Sequence, residues 1–187
     1  MTPERFQNLK AALLRRQPDL TVLADEVHKP HNIAAVLRTC DAVGVFELHA
    51  VATGNSFVRA RGISGGTAPR VGVHPHRALP AAIESLKAQG FQIVAAHLTT
   101  ASEDYRSIDY TRPTALLLGS ELRGVTAVGE ALADRHASLP MRGLAASLNV
   151  SVAAALFLYE AARQREAAGL YAQCRLSAEQ FERTLFE

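Results

Sequence analysis

The stretches "LTVLADEV", "FQIVAAHL" and "TALLLGS" are apolar at consecutive positions rather than at alternate ones. Successive side chains of a strand point to opposite faces, so such runs need cover on both sides. Between them the period changes. Ile33, Val36, Leu37 and Cys40 recur at i, i+3, i+4 and i+7, and a second helical pattern runs near Ala78 to Gln89 until Gly90 stops it. Strands covered on both faces and separated by helices fold as an α/β domain, a parallel sheet flanked by helices.

The remaining elements follow the same logic. Thr2 and Pro3 have the types of an N-cap and a first helical residue, ahead of a helix that buries Phe6, Leu9 and Leu13. "ELHAVA" and "RVGVH" read as strands, Thr126 to Asp134 as a modest helix, and "HASLPM" as a short strand. A long helix runs from about Ser147 to Ala168, apolar nearly all round and so expected to be deeply buried. No linker, repeat or low-complexity tract interrupts the chain. Residues 1–187 therefore read as one domain, with an N-terminal helix within 1–18 and a further amphipathic helix beginning within 169–187.

A net charge of +2 says little about partners, but local charge says more. Gly54 to Arg77 carries Arg59, Arg61, Arg70, Arg77, His74 and His76 with no Asp or Glu, which suits a phosphate backbone or a solvated surface. The two cysteines, Cys40 and Cys174, have no zinc-type spacing, and Cys40 lies on an apolar stripe. The N-terminus has no signal-peptide core, and the longest apolar run, Val152 to Tyr159, is too short to span a bilayer. A cytoplasmic, reduced protein with no membrane segment and no metal is expected.

In an open parallel sheet, ligands bind beyond the carboxyl ends of the strands. Three stretches occupy such places. "EVHKPHNIAAVLRTCDAVG" places Asn32 at the expected helix start and Arg38 off the apolar stripe, where pattern alone pairs it with Asp41 at i, i+3. "LLLGSELRGV" runs from a strand into Gly119, Glu121 and Gly124, either a plain turn or a backbone that approaches a ligand closely. "LPMRGLAASLNVSVAAALFLYE" opens a buried helix with Ser147, Leu148 and Asn149. Capping accounts for Ser147 but not readily for Asn149. No G-x-G-x-x-G, P-loop or nucleophile elbow is present, and the seven histidines are scattered and read mostly as surface residues.

Taken together and in order, "HNIAAVLRTCDAVG", "LLLGSELRGV" and "LPMRGLAASLNVSVAAALFLYEA" resemble the three motifs of the SPOUT methyltransferases, TrmH-type tRNA (guanosine-2′-O-)-methyltransferases above all. "RRQPDLTVLADEVHKPHN" and "IDYTRPTALLLG" extend the likeness over nearly the whole chain. The resemblance implies a C-terminal deep trefoil knot, a homodimer, S-adenosylmethionine as methyl donor, and tRNA as substrate, modified at position 18 of the D loop. It also implies a donor site near Ala96, Gly119, Glu121, Gly124, Leu139, Met141 and Leu148. Arg38 matches the family's catalytic arginine, Ser147 and Asn149 match further catalytic positions, and Asn32, Arg163 and Arg165 match RNA-contacting ones. Ribosomal RNA, another tRNA nucleotide, or RNA binding without catalysis are the alternatives. Family members commonly continue beyond the amphipathic helix in "CRLSAEQFERTLFE" and use that extension for tRNA.

Overall fold

A computed structural model describes residues 2–51, 71–120 and 122–186. Glu121, Arg59, Arg61, Arg70 and the stretch "GISGGTAPR" lie outside the described residues. The elements run as α1 (Pro3–Leu13), β1 (Leu20–Asp25), α2 (Pro30–Ala42), β2 (Glu47–Val51), β3 (Gly72–His76), α3 (Leu79–Ala88), β4 (Gln92–Ala96), β5 (Glu103–Asp104), a single 3₁₀ turn (Tyr105–Ser107), β6 (Thr114–Leu118), α4 (Ala127–Leu132), β7 (Arg135–Ser138), α5 (Val150–Ala167) and α6 (Ala178–Phe186).

Among the described residues seven strands form one sheet in the order β3-β2-β1-β6-β4-β7-β5, and every pairing is parallel. β1 and β6 are buried along their whole length. Their alternate residues sort to two cores. Leu20, Val22, Ala24, Leu116 and Leu118 face a core that includes Ile33, Val36, Leu37 and Cys40 of α2 and Phe157 and Leu158 of α5. Leu23, Ala115 and Leu117 face Leu79, Ala82, Ile83 and Leu86 of α3. Two-sided burial is what consecutive apolar residues in a strand require. Burial also pushes the Cys40 thiol up to about 12, so it behaves as a small core residue.

Several boundaries move relative to the sequence expectation. Thr2 caps α1 as expected, accepting from the Arg5 N–H at 3.2 Å. α2, however, starts at Pro30 rather than near Ile33, because proline suits the first helical position. Asn32 is therefore inside the first turn and is not the cap. α5 starts at Val150 rather than Ser147, and its cap is Asn149. α5 is not buried all round: Ala154, Phe157, Leu158 and Ala161 face the core, while Val152, Leu156 and Tyr159 are exposed. Nor are the histidines scattered. His49, His74 and His76 stack across β2 and β3, with ring centroids 5.2 and 5.1 Å apart. Burial, then His76 and His74, push the His49 imidazole down to about 4.

Arg165, one of the RNA-contacting positions implied by the resemblance, is fully buried. Its Nε donates to the Tyr110 carbonyl at 2.9 Å. One terminal nitrogen donates to Gln17 Oε1 and Asp19 Oδ1, the other to the carbonyls of Asp19 and Arg112. All five guanidinium donors are thus used, tying α5 to the chain entering β1 and β6. The side chain offers nothing to an RNA at the surface, and its role is structural. Arg165→Met should strand these acceptors and lower unfolding free energy by about 3 kcal/mol, read as a fall in the urea midpoint at unchanged slope.

Candidate active site

β4, β6 and β7 lie side by side, so the loops leaving their carboxyl ends converge. They enclose a cavity of about 300 Å³, at the lower end of the size range for small-molecule sites. Ala96, Gly119, Gly124, Leu139, Met141 and Leu148 all line it, together with Ser147. The structure thus gathers six positions implied as donor-binding and one implied as catalytic around one cavity, although they are spread over three loops. Glu121 lies outside the described residues.

The loop after β6 is shaped by its glycines. Gly124 has φ +66°, the left-handed region that glycine occupies without strain, and its N–H returns to the Ser120 carbonyl at 2.9 Å. A Cβ on Gly119 would lie 2.0 Å from the Gly124 carbonyl, a distance no side chain tolerates. The loop therefore folds back on its own start, and its backbone forms one wall of the cavity. Most of the other lining groups are apolar, including Leu118, Val150, Ala153 and Phe157. Leu98 and Leu122 add exposed apolar surface, 67% and 94% accessible. Such a lining accepts a planar heterocycle and an aliphatic arm, with backbone groups for their polar edges, so an adenosyl-amino acid fits it chemically.

At the cavity's other end Asn149 caps α5, its Oδ1 accepting from the Ser151 N–H at 2.8 Å and the Ser151 hydroxyl at 2.7 Å. Its Nδ2 donates to Asn32 Oδ1 at 3.1 Å. Asn32 is buried, in the first turn of α2. Two positions that the resemblance implies as functional, 117 residues apart in sequence, thus share one hydrogen bond, and Asn149 turns out to be the cap assigned above to Ser147. Ser147 instead lies exposed in the loop, on the cavity wall.

Arg38 is not among the residues that line the cavity. It is exposed on α2, and Asp41, its expected partner, is engaged by Arg16. Among the described residues Arg38 has no hydrogen bond or ion pair, so the plain surface-pair interpretation has lost its partner. Arg163 remains exposed and is held by Glu160 through two bonds of 2.9 and 2.8 Å. Several lining residues carry no site signal in the motifs, among them His97, which a search for polar residues just past strand ends would have found. Behind the loop, burial raises the Asp25 carboxyl at the end of β1, while the Thr126 hydroxyl donates to it at 3.2 Å.

This is an α/β protein whose strand-end loops bound a cavity of small-molecule size, and among the described residues the Arg38 side chain on α2 has no partner. Residues 19–159 match the SpoU rRNA Methylase family, and residues 163–187 match its C-terminal part, so the chain belongs to that family. A tRNA (guanosine(18)-2′-O)-methyltransferase of Escherichia coli is 48% identical over 189 residues, spanning 100% of this chain and 82% of the relative. The crystal structure of an A. aeolicus TrmH/SpoU tRNA modifying enzyme superposes with a TM-score of 0.87 at 39% identity, over 98% of this chain and 93% of that one. The SpoU methyltransferase AviRb from Streptomyces viridochromogenes, solved in complex with AdoMet, superposes at 0.71 and 28% identity, over 82% of this chain and 59% of that one. The family uses S-adenosylmethionine as methyl donor.

Gly119→Ala should push Ser120, Leu122 and Gly124 off the cavity wall. Titration calorimetry with S-adenosylhomocysteine is expected to show affinity reduced at least tenfold, with the far-ultraviolet dichroism of the sheet and helices retained.

Proposed function

We propose that this protein transfers a methyl group from S-adenosylmethionine to the ribose 2′-oxygen of a tRNA guanosine, at position 18 in the D loop. The observation that carries the proposal is the single cavity lined from three strand-end loops, joined to α2 through the bond between Asn149 and Asn32. The tRNA specificity is supported by relatives named for that reaction. We read residues 1–187 as one methyltransferase domain, with the N-terminal helix and the start of a C-terminal helical extension as its arms. The loops that share the cavity, after β4, β6 and β7, form the trefoil knot in this reading. No helix among the described residues is long and apolar enough to cross a membrane, and we assign the protein to the cytoplasm, where its RNA substrate is found.

The donor supplies an electrophilic methyl on a sulfonium. Transfer to the ribose needs oxygen, carbon and sulfur in line, and it releases the hydroxyl proton. Gly119, Gly124, Leu139, Met141 and Leu148 hold the donor through apolar contact and backbone groups, with Ala96 beneath and Glu121 in the same loop. A guanidinium offers N–H donors and no acceptor, so Arg38 does not serve as an ordinary base. Its role is to grip the target phosphate through paired N–H donors and to stabilise the alkoxide that develops on the 2′-oxygen. The phosphate or a water takes the proton. Asn149 and Ser147 fix the loop at the start of α5, Asn32 holds Asn149, and Arg163 adds an outer contact to the RNA backbone.

A second copy of the chain completes the site. Val152, Leu156 and Tyr159 form a stripe at i, i+4 and i+7 on α5, 48%, 41% and 59% exposed, beginning beside the cavity. A homodimer that covers this stripe brings a second α2 surface toward the cavity, where Arg38 can meet the substrate sugar. Light scattering should give the mass of a dimer for the wild type, and Tyr159→Lys together with Leu156→Lys should give a monomer with little activity. A monomeric, fully active wild type refutes this assembly.

Arg38→Ala should lower kcat by about a hundredfold or more, while S-adenosylhomocysteine affinity stays within about twofold. The substrate assignment is tested by incubating the protein with labelled donor and with tRNA or ribosomal RNA, then mapping the methylated nucleoside. Label in ribosomal RNA alone, or at another tRNA position, overturns it.

A further inference from the structure

We propose that His97 is a positioning residue for the methyl donor, its Nδ1 accepting a hydrogen bond from a hydroxyl or amine of the bound donor while the Glu130 carboxylate lies on the Nε2 side of the ring. The inference rests on the cavity being the donor site.

Among the described residues His97 is the only titratable one that lines the cavity. The rest of the wall offers aliphatic and aromatic groups, glycines, and the hydroxyls of Ser120, Ser138 and Ser147. An adenosyl-amino acid carries ribose hydroxyls, an exocyclic amine and an ammonium group, each of which needs an acceptor once it leaves water. His97 comes directly after β4, and its backbone is anchored on both sides. Its N–H is shared between the carbonyls of Ala95 and Ala137, and its carbonyl accepts from the Ser102 hydroxyl at 2.7 Å.

A carboxylate lies on one side of the ring. Nε2 lies 3.8 Å from Glu130 Oε2, on α4. A carboxylate on that side favours the tautomer with its proton on Nε2, which leaves Nδ1 as an acceptor. Among the described residues no group lies within hydrogen-bonding distance of either ring nitrogen. Nδ1 faces the loop at Gly124, where a Cβ would stand 3.7 Å away. A side chain at position 124 would therefore cover the Nδ1 edge, and glycine leaves it open to the cavity. The same loop carries the apolar wall contributed by Leu122, so the acceptor and an apolar surface meet at one corner.

The test uses three variants of the full chain. Asn puts an amide near the Nδ1 position, Gln puts it near Nε2, and Ala supplies neither. His97→Ala should raise the dissociation constant of S-adenosylhomocysteine and the KM for the donor about tenfold, the size expected for one hydrogen bond. Its kcat should stay within about twofold, and its KM for tRNA should not move. His97→Asn should recover most of the donor affinity and His97→Gln should not. Donor binding by His97→Ala as tight as in the wild type overturns the proposal. So does equal weakening in all three variants that tracks a fall in Tm. Unaltered donor affinity in Gly119→Ala would instead show that the donor binds elsewhere, and the role of His97 would fall with that assignment.

Discussion

The cavity in this molecule lies at the strand ends because the middle strands have no free face. β1 and β6 are buried throughout, and their side chains alternate between the core under α2 and α5 and the core under α3. Burying apolar surface on both sides is the main favourable term in folding such a sheet. It leaves nowhere within the sheet for a polar group that is not paired. Thr21, buried in β1, illustrates the rule, since its hydroxyl donates to the Glu47 carbonyl at 2.7 Å. Arg165 of α5, the largest fully buried side chain among the described residues, obeys the same rule with five hydrogen bonds.

The cavity follows from that constraint. Where β4, β6 and β7 end, three loops must turn within a small space, and the close fold-back at Gly119 and Gly124 lets backbone replace side chains as the wall. The N-terminus of α5 then closes one end. Its Asn149 serves two purposes at once, capping the helix with Oδ1 and reaching α2 with Nδ2. The motif that carries Arg38 is thereby tied to the start of α5, beside the cavity, through one amide hydrogen bond. Leu98, Leu122 and Leu148 leave an apolar rim that a bound heterocycle or a second copy can cover.

Where sequence pattern and structure part, the cause is local. Ser147 looked like the cap of α5 because it precedes the apolar run, yet the loop stays extended for two more residues and Asn149 takes the place. Arg38 looked like a partner for Asp41 by helical spacing, but Arg16, arriving from the end of α1, has that carboxylate. Arg165 shares its charge and its stretch of helix with Arg163, and nothing in spacing tells the two apart. One turns inward to Asp19 and the other outward to Glu160. His49, His74 and His76 seemed scattered because 24 residues lie between the first two, whereas the register of β2 with β3 pairs His49 directly with His74.

By itself the sequence determined the class of fold, the stripes of α2 and α3, and the three segments that supply the site. Periodicity and runs of apolar residues report local burial, and the order of motifs is a property of the chain alone. Only the tertiary structure decided that these segments meet in one cavity, that Asn32 bonds Asn149, that Arg165 is buried with its donors used, and that His97 lines the cavity. Those outcomes depend on which strands become neighbours and on where each loop turns. Contacts between residues about a hundred positions apart are set by packing, which no short window of sequence contains.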